Sequence, residues 1–249
     1  MTRVGALRLA VVGGFVLALE ILCRTQAISP RILIPPSEMA LQLGRIVRKG
    51  DINADLASTF GNVAMAFVLA VTVGFAAGAT IHAFPRVRRA VDPFLATYYA
   101  LPFFAFYPVL IVLFGIGRLP IVAIGFLFGV VAMIIATLNG FDRIPRVMVK
   151  TAKVYQLTPL GAALKVKLPY AAPYLFTGVK LAIAYSFIGV IAAEFILASS
   201  GLGYSIAYAF NNFDNRTMYA LMFLIIVSVT IVNGFFHAWE QRLLRRRGK

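Results

Sequence analysis

The chain has 249 residues, 61% hydrophobic and only 13% charged, with a mean hydropathy of +0.87. Soluble chains carry about 25% charged residues, so this composition excludes an ordinary soluble enzyme and a disordered tail, and the single cysteine, Cys23, excludes a disulfide-stapled secreted scaffold. The net charge of +15 would suit a nucleic-acid binder, but the bases fall between apolar runs long enough to cross a bilayer as helices.

Six such runs follow in chain order, near residues 7–26, 58–83, 94–115, 119–140, 174–197 and 217–238. Spanning segments of this length satisfy their own backbone hydrogen bonds only as helices, so the fold class is all-α integral membrane with six transmembrane helices, and residues 1–249 form one domain. In the first run Arg8, Glu20 and Arg24 leave only Leu9 to Leu19 uncharged, and Glu20 and Arg24 are spaced for an i,i+4 pair. A signal peptide is the competing reading of this start, but its removal would leave five spans and strand the chain ends on opposite sides. Residues 27–57 hold Pro30, Pro35 and Pro36, then a helical stretch opened by Ser37 as N-cap with Glu38 in its first turn. Met39, Leu41, Leu43, Ile46 and Val47 fall on one side of it, which reads as an amphipathic helix on the outer membrane surface.

The second and fourth runs carry GxxxG pairs, Gly74 with Gly78 and Gly125 with Gly129, that permit close helix contact. The third is interrupted by Pro102 and Pro108 and crowded with Tyr98, Tyr99, Phe103, Phe104, Phe106 and Tyr107. Such crowding is more often packing than ligand contact, yet this run is the first candidate to line a passage, because prolines free backbone carbonyls that a cavity can satisfy. A tight turn, Gly115 to Pro120, leads into the fourth run. In the fifth, Glu194 lies deep towards the outer end, and Lys180 is roughly four turns away, so its partner must sit on another helix. Structural pairing and a place on the substrate path both remain open for it. After Ser199-Ser200-Gly201-Leu202-Gly203-Tyr204 comes a segment too polar to cross, ending in Asn211, Asn212, Asp214, Asn215 and Arg216.

Orientation follows from the loop lysines and arginines. With the N-terminus inside, the inner segments hold Arg3, Arg8, Arg86, Arg88, Arg89, Arg143, Arg146, Lys150, Lys153, Lys165, Lys167, Arg242, Arg245, Arg246, Arg247 and Lys249. The outer ones hold only Arg24, Arg31, Arg45, Arg48, Lys49, Arg118 and Arg216. Both termini are therefore expected in the cytoplasm, and topology with anionic lipid explains the charge without a nucleic-acid partner. The inner loop 141–173 is longer than two antiparallel helices need, with helix-compatible runs on either side of Leu157-Thr158-Pro159, where Thr158 can cap a helix that Pro159 begins. Its lysines alternate with apolar residues, so it is either a hairpin on lipid headgroups or a docking element for a cytoplasmic partner.

The chain holds no GxxxxGK[ST] phosphate loop, His82 and His237 stand far apart, and Cys23 has no partner. Only Glu20 and Glu194 are acidic within spans, too few for an intramembrane hydrolase. The expectation is a non-enzyme with neither metal nor cofactor of its own.

The inner loop resembles the EAA loop of ABC-importer permeases, in which EAA is followed after three residues by Gly and after nine more by I-x-L-P. Val166, Leu168 and Pro169 occupy the last part, Gln156 stands at the glycine, and Lys150-Thr151-Ala152 replaces EAA with a single match. Ile34-Pro35-Pro36-Ser37, Phe114-Gly115-Ile116-Gly117, and Ala193-Glu194 followed by Ser200-Gly201-Leu202-Gly203-Tyr204 look like the nitrate, sulfonate and taurine permease group, and the similarity runs nearly end to end. The resemblance implies a type I ABC-importer-like permease fold in a bacterial inner membrane. Its partners would be a second copy or a homologous permease, two cytoplasmic ATPases that hold ATP and Mg, and an extracytoplasmic substrate-binding protein. It implies alternating access for a small polar or anionic solute such as a sulfonate, nitrate, a vitamin precursor or an aromatic acid.

Carried over, the ATPase-coupling segment is Tyr155, Gln156, Leu157, Thr158, Pro159, Leu160 and Gly161, and the path would be bordered by Tyr98, Tyr99, Phe103, Tyr107 and Glu194. If the glycine position needs positive φ, Gln156 costs on the order of 1 kcal/mol there. That departure suggests pairing with a non-identical permease or a specialised ATPase. The competing classes are an ATP-independent secondary transporter or channel, for which no convincing internal repeat is present, and a membrane scaffold that recruits through the inner loop.

Overall fold

The computed structural model describes residues 3–29 and 32–246, so Pro30, Arg31, Arg247 and Lys249 of the sequence reading lie outside the described residues. In chain order the helices are α1 (Arg3–Arg24), α2 (Pro36–Lys49), α3 (Asn53–Ala83), α4 (Pro85–Thr97), α5 (Tyr107–Phe114) and α6 (Arg118–Asp142). They continue as α7 (Arg146–Val154), α8 (Pro159–Ala162), α9 (Leu168–Leu197), α10 (Leu202–Asn211) and α11 (Asn215–Arg246), and no strand occurs among the described residues.

Four helical stretches among the described residues are long and apolar enough to cross a membrane: Asn53–Ala83, Arg118–Asp142, Pro159–Ile196 and Asn215–Glu240. A bent pair, Pro85–Ala100 with Phe103–Phe114, makes a fifth if taken as one span. The expected first span is a helix, α1, but is not among these. The expected third span, 94–115, is not one straight helix: its halves meet at 93° through short 3-10 turns at Tyr98–Ala100 and Phe103–Phe106. Pro102 is the cause. It lacks an N–H and disfavours helical backbone at the residue before it, and Leu101 is accordingly extended at φ −76° and ψ 128°.

The core is a sheaf of α3, α6 and α9 with side chains removed where the helices touch. A Cβ on Gly74 would lie 2.7 Å from the Val130 carbonyl oxygen, and one on Gly78 would lie 2.7 Å from Thr137 Cβ, so the first GxxxG pair seats α3 on α6. The second seats α6 on α9: a Cβ on Gly125 would lie 2.6 Å from Val190 Cγ2, and one on Gly189 would lie 2.8 Å from the Gly125 Cα. Around these contacts Ala66, Ile124, Val190 and Ala193 are fully buried. Lys180 of α9, whose partner had not been foreseen, pairs with Glu240 of α11 at 2.6 Å.

A smaller cluster of Ile52, Leu202, Ile206, Met218 and Leu221 joins α10 and α11 at one end of the bundle, with Ile46 of α2 packed on it. On α2, Met39, Leu43 and Ile46 are half-buried while Leu41 and Val47 are exposed, so the apolar side divides between α11 and the surroundings. Ser37 is not the N-cap. Pro35 and Pro36 start the helix, and Ser37 donates its N–H and hydroxyl to Glu20 at 3.0 and 2.6 Å. The expected Glu20–Arg24 pair is present at 2.6 Å, so this carboxylate sits at the positive end of α2, where a helix favours negative charge. At the opposite end of the bundle Asp142 of α6 accepts from Arg88 of α4 at 3.1 Å and lies 3.1 Å from His82 of α3.

Gly125→Val should lower the unfolding midpoint of the detergent-solubilised chain by the equivalent of about 1–3 kcal/mol, the range for overpacking a close contact. Gly14→Val, at a glycine with nothing within 4 Å, should leave it unchanged.

Candidate functional site

Two regions carry the groups that sequence reasoning singled out: a buried polar network at the α10 end of the bundle and an exposed turn between α7 and α8. The network is centred on Glu194, in the last turn of α9, which has no solvent exposure. Its Oε2 accepts from the Thr59 hydroxyl at 2.6 Å and from the Gly203 N–H at 3.2 Å. Its Oε1 accepts from Asn62 Nδ2 at 3.1 Å. The partner is thus on other helices, as the distance to Lys180 required.

Thr59 in turn accepts the Leu202 N–H at 2.8 Å, and Asp55 accepts the Gly201 N–H at 2.8 Å and the Ser205 hydroxyl. Asp55, Thr59 and Asn62 stand four and three residues apart on α3, the spacing that aligns side chains on one helix face. The N–H groups that begin a helix have no intrahelical partner, and those around the start of α10 are taken by these side chains from α3 and α9. Two glycines make the approach possible. Gly201 has φ +105°, and a Cβ there would lie 2.4 Å from the Glu194 carboxylate carbon; one on Gly203 would lie 2.4 Å from the Ile191 carbonyl oxygen. Asn62 also accepts from Arg118 Nε at 2.9 Å, so one amide links a guanidinium on α6 to the carboxylate on α9. The arrangement holds α3, α6, α9 and α10 together.

The remaining path candidates separate. Tyr98 donates its hydroxyl to the Leu127 carbonyl at 2.9 Å and stacks on Phe103 with centroids 4.6 Å apart. Phe103 and Tyr107 are buried in the core cluster with Val63, Ile121 and Phe187. Tyr99 alone is open, 46% exposed, and stacks on Tyr185 of α9 at 5.3 Å. The bend places Tyr98, Tyr99 and Phe103 together at the break between α4 and α5.

Tyr155–Gly161, the segment expected to meet an ATPase, forms the turn after α7 and the first three residues of α8. The Gln156 N–H bonds to Lys153 O at 2.9 Å and the Leu157 N–H to Ala152 O at 3.0 Å, the paired bonds of a Schellman closure. Gln156 occupies the position where that closure calls for a left-handed residue, with φ +49°. The condition attached to the glycine position, a positive φ, is therefore present at Gln156. Thr158 caps α8 as expected, accepting the Gly161 N–H at 3.1 Å with Pro159 at the first position. Tyr155 is 75% and Leu160 69% exposed. Within the expected 141–173 loop, helix resumes at Pro159 and runs into α9. Pro169 has no N–H for an α-helical bond, and the turn before it, Ala163–Lys167, widens to π spacing instead of breaking. A groove of about 610 Å³ lies between this turn and α7, lined by Val147, Met148, Lys165, Val166, Pro169 and Tyr170 among others.

Asp55, Thr59, Asn62 and Arg118 were not anticipated. For the first three the signal was available in the polar i, i+4, i+7 stripe that opens α3 and straddles the residue where the second apolar run was taken to begin.

Residues 66–247 match the family profile described as binding-protein-dependent transport system inner membrane component. The chain is 29% identical over 177 residues to the nitrate import permease protein of Leptolyngbya laminosa, an alignment covering 71% of this chain and 63% of that protein. It is 27% identical over 231 residues to the taurine transport system permease protein of Escherichia coli (strain K12), covering 90% and 83% respectively. A chain of the inward-facing MetNI methionine ABC transporter superposes with a TM-score of 0.64 at 17% identity, covering 78% of this chain and 95% of that one. At that identity the likeness is one of fold.

Glu194→Ala strands the donors of Thr59, Asn62 and Gly203 and should destabilise the chain by about 3 kcal/mol, seen as a lowered unfolding midpoint in detergent; an unchanged midpoint would show that the network holds nothing together. Gln156→Gly relieves the left-handed backbone and should stabilise the turn by on the order of 1 kcal/mol, read as slower hydrogen exchange at the Leu157 amide.

Proposed function

The chain belongs to the family of binding-protein-dependent transport inner-membrane components, and on that premise we propose that it is the permease subunit of an ABC importer whose Tyr155–Gly161 turn docks into a cytoplasmic ATPase. The observation that carries this reading is mechanical. The turn is closed by its own backbone bonds, presents Tyr155 and Leu160 to the surroundings, and continues through α8 into the 38-residue helical stretch Pro159–Ile196. A push on the turn is therefore transmitted along a helix that touches α6 backbone to backbone at Gly189 and Gly125. ATP-driven approach of two ATPases would tilt α9, and with it the bundle, so that a central path opens alternately to either side.

The full assembly pairs this chain with a second copy or a homologous permease, two ATPases and an external binding protein, in a bacterial inner membrane with six spans and both termini cytoplasmic. Of the expected path residues, Tyr99 is the one this protomer leaves open at the break of α4 and α5, which supports the third span as the path wall. The solute is small and polar or anionic, in keeping with relatives whose names refer to nitrate and taurine.

Leu160→Asp puts a charge on the exposed turn away from the bundle core. It should reduce co-purification of the ATPase by at least about tenfold in gentle detergent while the amount of chain in the membrane stays constant. Undiminished co-purification removes this turn as the docking element, and a chain that purifies without any ATPase in repeated trials favours an ATP-independent carrier.

A further inference from the structure

Helix α4 has no fully buried residue and lies between two joints. Phe84, before Pro85, is extended at φ −115° and ψ 95°, and Leu101, before Pro102, is extended as well. Proline holds the residue ahead of it out of helical backbone, so α4 fuses with neither α3 nor α5. Pro93 removes one backbone bond inside the helix, and Arg88 braces the turn before it by donating from Nε to Asp92 at 2.6 Å. The helix does not pack along α6. Two attachments reach α6 instead. At one end Leu95 and Tyr98 rest on the apolar cluster around Ala70, Val130 and Ile134, with the Tyr98 hydroxyl on the Leu127 carbonyl. At the other end Arg88 Nη2 donates to Asp142 Oδ2 at 3.1 Å. Roughly 15 Å of α4 separates Arg88 from Tyr98, and roughly 22 Å of α6 separates Leu127 from Asp142, so the two attachments act at separate points. Asp142 is the last residue of α6, and α7, which leads to the Tyr155–Gly161 turn, begins at Arg146. The C-terminal end of a helix disfavours a carboxylate. Asp142 stands there against its own helix and is met by side chains of two others, Arg88 of α4 and, at 3.1 Å, His82 of α3.

We propose that the Arg88–Asp142 bridge is the driven end of a lever. It carries a displacement of the inner end of α6 into α4, which turns on the Tyr98 attachment and changes the angle at Leu101–Pro102. Tyr99, the aromatic left open at the break, lies directly past that pivot. Position, not strength, gives the bridge this role. Arg88 and Asp142 are 26% and 45% exposed, and a bridge so open adds little to stability. Arg88 Nη1 is buried with no partner among the described residues, which weakens the hold of this arrangement further. A contact of that kind can be made and released as the helices shift. The mechanical link stands without an ATPase; only its being moved by one rests on the docking reading above.

Hydrogen exchange is measured on the full chain in lipid nanodiscs at the Leu101, Phe103 and Ala105 amides, which close the turns around Pro102. Asp142→Asn and Arg88→Gln should each speed exchange there by at least about threefold, with α3 and α9 unchanged. The double variant should do no more than either alone, since both remove one bridge. The lever is overturned if only the first turn of α4 loosens and the break does not. Effects that add in the double variant, or faster exchange throughout α3 and α9, overturn it equally. The complex that co-purifies with its ATPase is then labelled with a maleimide in a chain carrying Cys23→Ala and Tyr99→Cys. MgATP should change the labelling rate by at least about fivefold, and adding Asp142→Asn should remove that response while ATP hydrolysis continues. A response that survives Asp142→Asn overturns the proposal. If no ATPase accompanies the unaltered chain, the importer reading falls and the exchange result alone decides the lever.

Discussion

A carboxylate with no exposure, in a bundle of apolar helices, must find its hydrogen-bond donors or be expelled, and here that requirement sets how four helices meet. Glu194 is satisfied entirely by neutral groups: a hydroxyl, an amide and a backbone N–H. Neutral donors on α3 and on the start of α10 must therefore come within hydrogen-bond reach of one point on α9. That demand places glycine at 201 and 203 and orders the polar stripe Asp55, Thr59 and Asn62. It also fixes one face of Asn62, whose opposite face then orients Arg118. Direct pairing with the guanidinium would have consumed both charges; the intervening amide leaves the arginine fork facing the surroundings.

The same economy governs the core. Where α3, α6 and α9 touch, the contact is made by backbone and small side chains, which leaves the larger apolar residues to fill the space around those points. Helices that meet in this way have little freedom to slide, because any shift drives a carbonyl or a Cβ into a neighbour. The break between α4 and α5 departs from helical geometry, yet it too is tied to this core, since Phe103 and Tyr107 are buried in it and Tyr98 bonds to the Leu127 carbonyl of α6.

Much of this was legible from residue spacing. The GxxxG pairs marked the contact faces, Thr158 and Pro159 marked the start of α8, the Glu20–Arg24 spacing gave a real ion pair, and the distance from Lys180 sent Glu194 to another helix. What spacing could not supply was tertiary in origin. Pro102 announces an interruption, but neither the 93° angle nor the contacts of Tyr98 and Phe103 with α6 can be read from it. Ser37 has the composition of an N-cap, yet a carboxylate brought in from α1 takes both its hydroxyl and its backbone N–H. Asp55, Thr59 and Asn62 escaped notice because they precede or open an apolar run and look like a polar boundary until Glu194 is placed opposite them.

The burial of α6 has a consequence for how the lipid can act on this protein. Packed between α3 and α9 through most of its length, α6 presents little surface to hydrocarbon, whereas α3 and α11 keep most of theirs outward. A thinner or thicker bilayer changes the preferred tilt of helices it can wet, so thickness bears on α11 and on the outer side of α3. It reaches the central helix only second-hand, through the glycine contacts and the Lys180–Glu240 bridge. The middle of the bundle is thereby insulated from the composition of the membrane, and the rim absorbs it.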